Sequence, residues 1–379
     1  MSETPVIKLS QELIRQDSIT PDDKGCQQLL ASLLTAAGFQ VEHKRFGKVD
    51  NLFAYHGKDS KNTTSLLFVG HTDVVPTGNL AAWKHLPFSA TIEDGYLYGR
   101  GAADMKSAVA AFTLAMINFV NNNPNHQGKI ALMLTSDEEG VAVDGVQRMM
   151  PYIADKHSFD YCIVGEPSSS ERLGDVVRIG RRGSLHVDIT IHGKQGHIAY
   201  PKSACNPVFL AANFIHSLSN FSWDEGNADF PPTSFQISAV KTSTATANII
   251  PADLNIQANF RYSPESSESS LKLQMVQLLK HYNLNYSLEW NLSGRPFYCN
   301  NEILKSAIQQ SITDVSHEKV TFNTAGGTSD GRFVAPFGIE VVELGVVNKT
   351  IHQVDEKVLV ADVIKLQKIY LKVIDVLLR

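Results

Sequence analysis

Three short runs of unbroken apolar residues constrain the fold of this chain more than any other feature: Ser65 to Gly70 (SLLFVG), Lys129 to Thr135 (KIALMLT) and Tyr161 to Val164 (YCIV). A strand with water on one face alternates apolar and polar side chains, so runs like these belong to a sheet covered on both faces. Helical spacing fills the intervals, in Leu9 to Arg15, in Gly25 to Ala37 with Gly38 as a stop, and in Ser107 to Asn121. Strand and helix in alternation predict an α/β domain with a mostly parallel central sheet.

Beyond about residue 183 the period changes. Ser184 to His192 alternates strictly, with Leu185, Val187, Ile189 and Ile191 on one face and His186, Asp188, Thr190 and His192 on the other. The same period returns in Ser234 to Val240, Leu254 to Arg261 and Leu284 to Asn291, with helical segments at Asn206 to Ser219 and Ser266 to His281. Strand, helix, strand, strand, helix, strand is the order of a ferredoxin-like α+β unit. The chain then reverts to helix and buried strand in Ile303 to Ile312, Glu340 to Glu343 and Val360 to Leu378. A chain of 379 residues exceeds the roughly 100–200 of one domain. The expected organisation is a large α/β domain from residues 1–182 and 296–379, with 183–295 inserted as a smaller domain.

Composition removes several function classes. A formal net charge of −5 offers no basic surface for nucleic acid or anionic membrane. The N-terminus is polar and acidic where a signal peptide is basic and then apolar. The apolar stretch Ser107 to Val120 falls short of the about 20 residues that span a bilayer. The four cysteines, Cys26, Cys162, Cys205 and Cys299, are far apart, which fits buried, reduced thiols in a cytoplasmic protein.

Chemistry gathers where the buried runs end. Gly70-His71-Thr72-Asp73 closes the first run; in extended backbone His71 and Asp73 share a side, so the carboxylate could hold one imidazole nitrogen while the other binds a metal. Gly99 to Lys106 is a glycine-rich turn carrying Asp104 to the start of a helix; it lacks the phosphate-loop patterns, and Asp104 could equally be a helix cap. Asp137-Glu138-Glu139-Gly140 closes the second run, and its crowded carboxylates call for a cation unless they are a solvated turn. Alternating orientation there suggests that one of Glu138 and Glu139 is a ligand and the other a base. Glu166 follows the third run, and His352 follows a buried stretch near the C-terminus. Parallel strand ends converge, so His71, Asp104, Glu139, Glu166 and His352 form a donor set suited to two zinc-like ions sharing one carboxylate. His197 sits on a glycine-flanked loop. Arg181, Arg182 and Arg261, with the loop Gly326 to Asp330, could bind carboxylates or form ordinary salt bridges.

Taken together, residues 70–76, 99–106, 137–140, 165–167 and 193–201 resemble the M20 family of dinuclear zinc peptidases and deacylases. The resemblance covers nearly the whole chain. Gly180 to Ser184, Asp229 to Ser234, Gly326 to Phe333 and Asn348 to His352 narrow it towards a deacylase of a substrate rich in carboxylates. It implies a zinc-peptidase-like catalytic domain with an inserted lid and dimerisation domain, and two zinc ions per subunit, with cobalt as a possible substitute. His71 and Glu166 would hold one ion, Glu139 and His352 the other, and Asp104 both. Asp73 would orient His71, and the Asp104–Met105 peptide would be cis. Glu138 would be general base and then acid, and His197 would reach the oxyanion from the partner subunit of a homodimer. Arg181, Ser184, Tyr200, Asn248, Arg261, Gly327, Thr328 and Asn348 would contact the substrate. Where family members often carry paired Asn, this chain has Ala247-Asn248. Another deacylase or a carboxypeptidase of the family, or a non-catalytic metal-binding dimer of the same fold, remains open on sequence alone.

Overall fold

The computed structural model describes residues 4–58 and 63–379, and the chain divides into two compact units. The first comprises residues up to Gly180, Tyr298–Asn323 and Ser329–Arg379; the second comprises Arg181–Phe297 and Thr324–Thr328.

The first unit is built on an eight-stranded sheet in the order Gln40–Phe46, Val49–His56, Lys129–Thr135, Ser65–His71, Tyr161–Val164, Glu340–Glu343, Val176–Arg178, Thr321–Asn323. The three central pairings are parallel and link the apolar runs noted above. Antiparallel strands flank them on the Val49–His56 side. Both faces are sealed. Leu66, Phe68, Ile130, Leu132 and Ile163 point into a core shared with the helices Pro5–Ile14, Ser107–Asn122 and Val360–Leu378, while Leu67, Val69, Ala131, Met133 and Cys162 are equally buried on the other side. Phe68 stacks on Phe112 at 4.0 Å between centroids and meets the edge of Tyr370, pairs each worth about 0.5–1.5 kcal/mol beyond their burial. Sequence period missed the outer strands. Gln40–Phe46 (QVEHKRF) has no buried residue and an exposed or half-exposed face throughout, so it carries no apolar signal; pairing with its neighbour makes it a strand.

The second unit is a four-stranded antiparallel sheet in the order Ser234–Thr242, Asp253–Tyr262, Gly183–His192, Tyr286–Gly294. Its first strand lies between its third and fourth, which is ferredoxin-like order. Leu185, Val187, Ile189, Ile191, Ile256, Ala258 and Phe260 bury one face with Phe214 of the helix Pro207–Leu218 and Leu271 and Met275 of Glu268–His281. The opposite face is polar, and there His192 links three strands, with Nδ1 2.7 Å from Asp253 Oδ1 and Nε2 2.8 Å from Ser287 Oγ.

One expectation fails. Cys26, Cys162 and Cys299 are buried thiols, but Cys205 is exposed, because it closes a backbone bridge with Lys194 in the loop ahead of a helix instead of packing in a core.

Candidate metal and active site

In the first unit the parallel strands end on one edge and deliver their terminal residues to one place. His71 is the last residue of its strand, and its Nε2 lies 3.2 Å from Asp104 Oδ1 and 3.8 Å from Glu166 Oε1. On the other side of Asp104, His352 Nε2 lies 3.3 Å from Asp104 Oδ2 and 3.0 Å from Glu139 Oε1. Two triads of donor atoms, each within 4.8 Å, therefore share Asp104, one oxygen facing each triad. The five residues singled out from sequence come together.

Local packing explains the position of Asp104. A Cβ on Gly70 would stand 2.5 Å from Met105 Cε, and one on Gly165 would stand 2.4 Å from the same atom. These glycines at the strand ends leave room for Met105, which seats the turn before the Ser107 helix under the sheet edge. Gly101 takes φ +83, and Asp104 and Met105 leave helical geometry before the helix begins. The Asp104–Met105 peptide is cis. Asp104 makes no helix cap; the residue before the helix is Lys106, without a side-chain cap bond.

Asp73 departs from the expected contact. His71 Nδ1 lies 2.8 Å from the backbone carbonyl of Asp73 and 3.7 Å from its carboxylate. The chain leaves the sheet after His71, and the Asp73 carboxylate turns to accept the backbone N–H groups of Glu138 (3.3 Å) and Glu139 (3.1 Å). Its carbonyl still fixes the ring with Nε2 towards the triad. Glu138 and Glu139 lie in a turn instead of extended backbone, so strict alternation does not apply to them. Glu139 reaches His352, whereas Glu138 is held at its backbone by Asp73. Asp137 is buried and closes the following loop by accepting from Val143 and Asp144.

The electrostatics are those of a crowded anionic site. Burial pushes the Glu138 carboxyl well above the usual range, and Asp330 adds to it. Burial does the same to Glu166, reinforced by Asp104 and Glu138, and lifts Asp330 to about 7. Burial alone would depress His71, but Asp104 and Asp73 outweigh it and hold its pKa well above the ordinary value. His352 is raised to about 10 by Asp104 and Glu139. Burial would raise Asp104, yet the two imidazoles keep it low. Glu166 Oε1 is buried with no hydrogen-bond partner among the described residues. Mixed imidazole and carboxylate donors around an unpartnered buried oxygen fit divalent cations, which would relieve this repulsion.

Most of the expected substrate contacts lie in the second unit. Arg181 is buried and donates from one terminal nitrogen to the Ala325 carbonyl at 2.6 Å; Gly326 packs against that guanidinium so closely that a Cβ would stand 2.2 Å from it. Gly327 has open space where a side chain would be, and Thr328 is half-buried. Ser184 is buried opposite Arg261 on neighbouring strands and accepts from Asn259. His197 is exposed on a two-residue strand paired with Ile249–Ile250, its Nδ1 accepting from Ala199 N; Tyr200 is exposed beside it, and Asn248 accepts from Ile198 N. Asn348, in the first unit, is half-buried and donates its N–H to Ser169. Two buried charged residues beside the site, Arg100 and Glu356, have no role in the sequence reading, although Arg100 lies within the 99–106 motif; nothing local in Gly-Arg-Gly or in Asp355-Glu356-Lys357 signals a buried charge.

Comparison with known proteins identifies the kind of chain this is. A model of peptidase family M20/M25/M40 matches residues 67–376. The succinyl-diaminopimelate desuccinylase of Coxiella burnetii (strain RSA 331 / Henzerling II) is 48% identical over 379 residues, all of both chains. That of Marinobacter nauticus is 49% identical over 371 residues, 98% of each. Among solved structures, an M20 family metallo-carboxypeptidase from Sulfolobus solfataricus has the same fold, with a TM-score of 0.77 at 17% identity over 98% of this chain and 99% of that one. The chain belongs to peptidase family M20/M25/M40.

Proposed function

We propose that this M20 family member hydrolyses N-succinyl-LL-2,6-diaminopimelate to succinate and LL-2,6-diaminopimelate, a step towards lysine and cell-wall precursors. The observation that carries the reading is full-length identity of 48–49% to two desuccinylases, in a chain whose strand ends assemble two donor triads around Asp104. His71, Asp104 and Glu166 would hold one divalent ion, and Asp104, Glu139 and His352 a second. Zinc is the ion proposed, with cobalt as a substitute. Bound there, the ions would supply Lewis-acid polarisation of the scissile carbonyl and a lowered pKa for water.

Glu138, beside the ligands but bonded to neither histidine, takes the proton of the attacking water and returns it to the leaving amine. Asp73 keeps Glu138 and Glu139 in register through their backbone N–H groups and keeps His71 in one tautomer through its own carbonyl. His197 donates a hydrogen bond to the tetrahedral oxyanion from the partner subunit of a homodimer. Arg181, Arg261, Ser184, Thr328 and Asn348 match the several carboxylates of the substrate, with Tyr200, Asn248 and the open backbone at Gly327 completing the contacts. In this reading residues 1–182 and 296–379 form the catalytic domain, and 183–295 form the lid and dimer surface. Four unpaired thiols fit a cytoplasmic location.

The test is a substrate panel run with metal analysis on one preparation. Two zinc ions per chain and preference for the succinylated diaminopimelate over acetylornithine and a dipeptide are expected. Preference for either of the others would replace the substrate, and turnover undiminished after complete metal removal would sink the mechanism.

A further inference from the structure

We infer that Glu356 is a positioning residue for the metal centre, tying Asp104 and His352 into one rigid piece; the inference rests on the metal-site reading above. Its carboxylate is wholly buried, and both oxygens are doubly engaged. Oε1 accepts from Ala103 N at 2.9 Å and Asp104 N at 3.0 Å. Oε2 accepts from Gly101 N at 3.0 Å and from the Arg100 guanidinium at 2.8 Å. The turn that carries Asp104 is thus wrapped around this one carboxylate, and the amide of the shared ligand residue is itself a donor to it. Backbone N–H groups that converge on an anion in this way form a nest.

The same residue reaches the other ligand along the chain. Glu356 follows His352 by four residues, and both His352 (φ +60) and Asp355 (φ +59) hold left-handed backbone in the connecting turn. That turn is pinned from the Asp104 side: Gly99 N donates to the Glu356 carbonyl at 2.9 Å, and Arg100 donates to the Gln353 carbonyl at 3.1 Å. Arg100 also reaches the Pro76 carbonyl at 3.3 Å and lies 5.2 Å from the Trp83 ring centroid. Stability is a weak reason to keep such a pair, because desolvating two charges offsets most of their attraction and apolar replacements often do as well. Fixing where two ligands stand is something an apolar pair cannot do, since it has no acceptor for three converging N–H groups. Orientation of first-contact ligands by buried partners is how metal affinity is tuned.

The experiment compares wild type, Glu356→Gln and Arg100→Lys as full-length chains, stripped of metal and titrated with zinc against a chromophoric chelator. Thermal unfolding of each metal-free chain, kcat and KM are measured alongside. Glu356→Gln keeps the volume but turns an amide NH2 towards donors, so zinc affinity should fall about 10- to 100-fold, with kcat reduced and KM within about twofold. Arg100→Lys keeps the charge but cannot span the same acceptors, and a smaller loss of zinc affinity is expected; it carries the test if the first variant does not fold. Zinc affinity equal to wild type in whichever variants fold would overturn the inference, whatever their unfolding temperature. A wild-type chain that takes up no zinc would overturn the proposed function as well, so the two failures read differently.

Discussion

Asp104 shows how much a single side chain is asked to do in this site. One oxygen faces His71 and the other His352, its amide donates to Glu356, and its peptide to Met105 is cis. Glu138, the proposed base, gives the sharper residue-level prediction. Glu138→Gln preserves shape and removes only the proton acceptor, so kcat should fall by about 10²- to 10⁴-fold while two metals per chain remain. A variant with undiminished turnover would remove Glu138 from the mechanism. His197→Ala should likewise lower kcat with metal retained. If the histidine acts across subunits, mixing inactive Glu138→Gln and His197→Ala chains should restore about a quarter of wild-type activity, since half the dimers are mixed and each has one intact site. No recovery on mixing would confine His197 to its own subunit.

At the scale of elements, the parallel strands act as a jig, and short polar knots hold what the strands do not. The clearest knot is Asp224 in the second unit. It accepts from Gly226 N and Thr233 N, and from the hydroxyls of Thr233, Ser263 and Ser266, closing residues 224–233 onto the end of the Asp253–Tyr262 strand and the start of the following helix. Burial works against the charged form, but these donors outweigh it and hold the Asp224 carboxyl below its ordinary pKa. A depressed folded pKa stabilises the fold above the unfolded value of about 3.9, and that contribution is lost as pH falls through the folded pKa. Asp224→Asn should therefore lower the unfolding midpoint at neutral pH and flatten the pH dependence of stability below about pH 4. An acid limb identical to wild type, measured by circular dichroism, would count against the knot.

For the whole molecule, the metal reading carries a stability consequence. Ions that bind the folded chain and not the unfolded one stabilise it, by about 2.7 kcal/mol at a hundredfold excess over Kd. Chelation should lower the unfolding midpoint and added zinc restore it; a midpoint indifferent to both would mean that the triads bind nothing. Sequence alone determined the central sheet, because the interiors of runs such as SLLFVG and KIALMLT have no polar residue to give to solvent, and it determined the second sheet, because Ser184 to His192 alternates without a break. It also marked the five candidate ligands, four of them after a buried or near-buried run and Asp104 just before a buried helix. Only tertiary structure decided how they are held. The Asp73 carboxylate drawn away to the N–H groups of Glu138 and Glu139, and Glu356 reaching back some 250 positions to Asp104, are contacts between segments remote in the chain. Periodicity reports how a segment meets water within a few residues of itself; which distant backbone groups converge on a carboxylate depends on the packed arrangement of the loops that carry them.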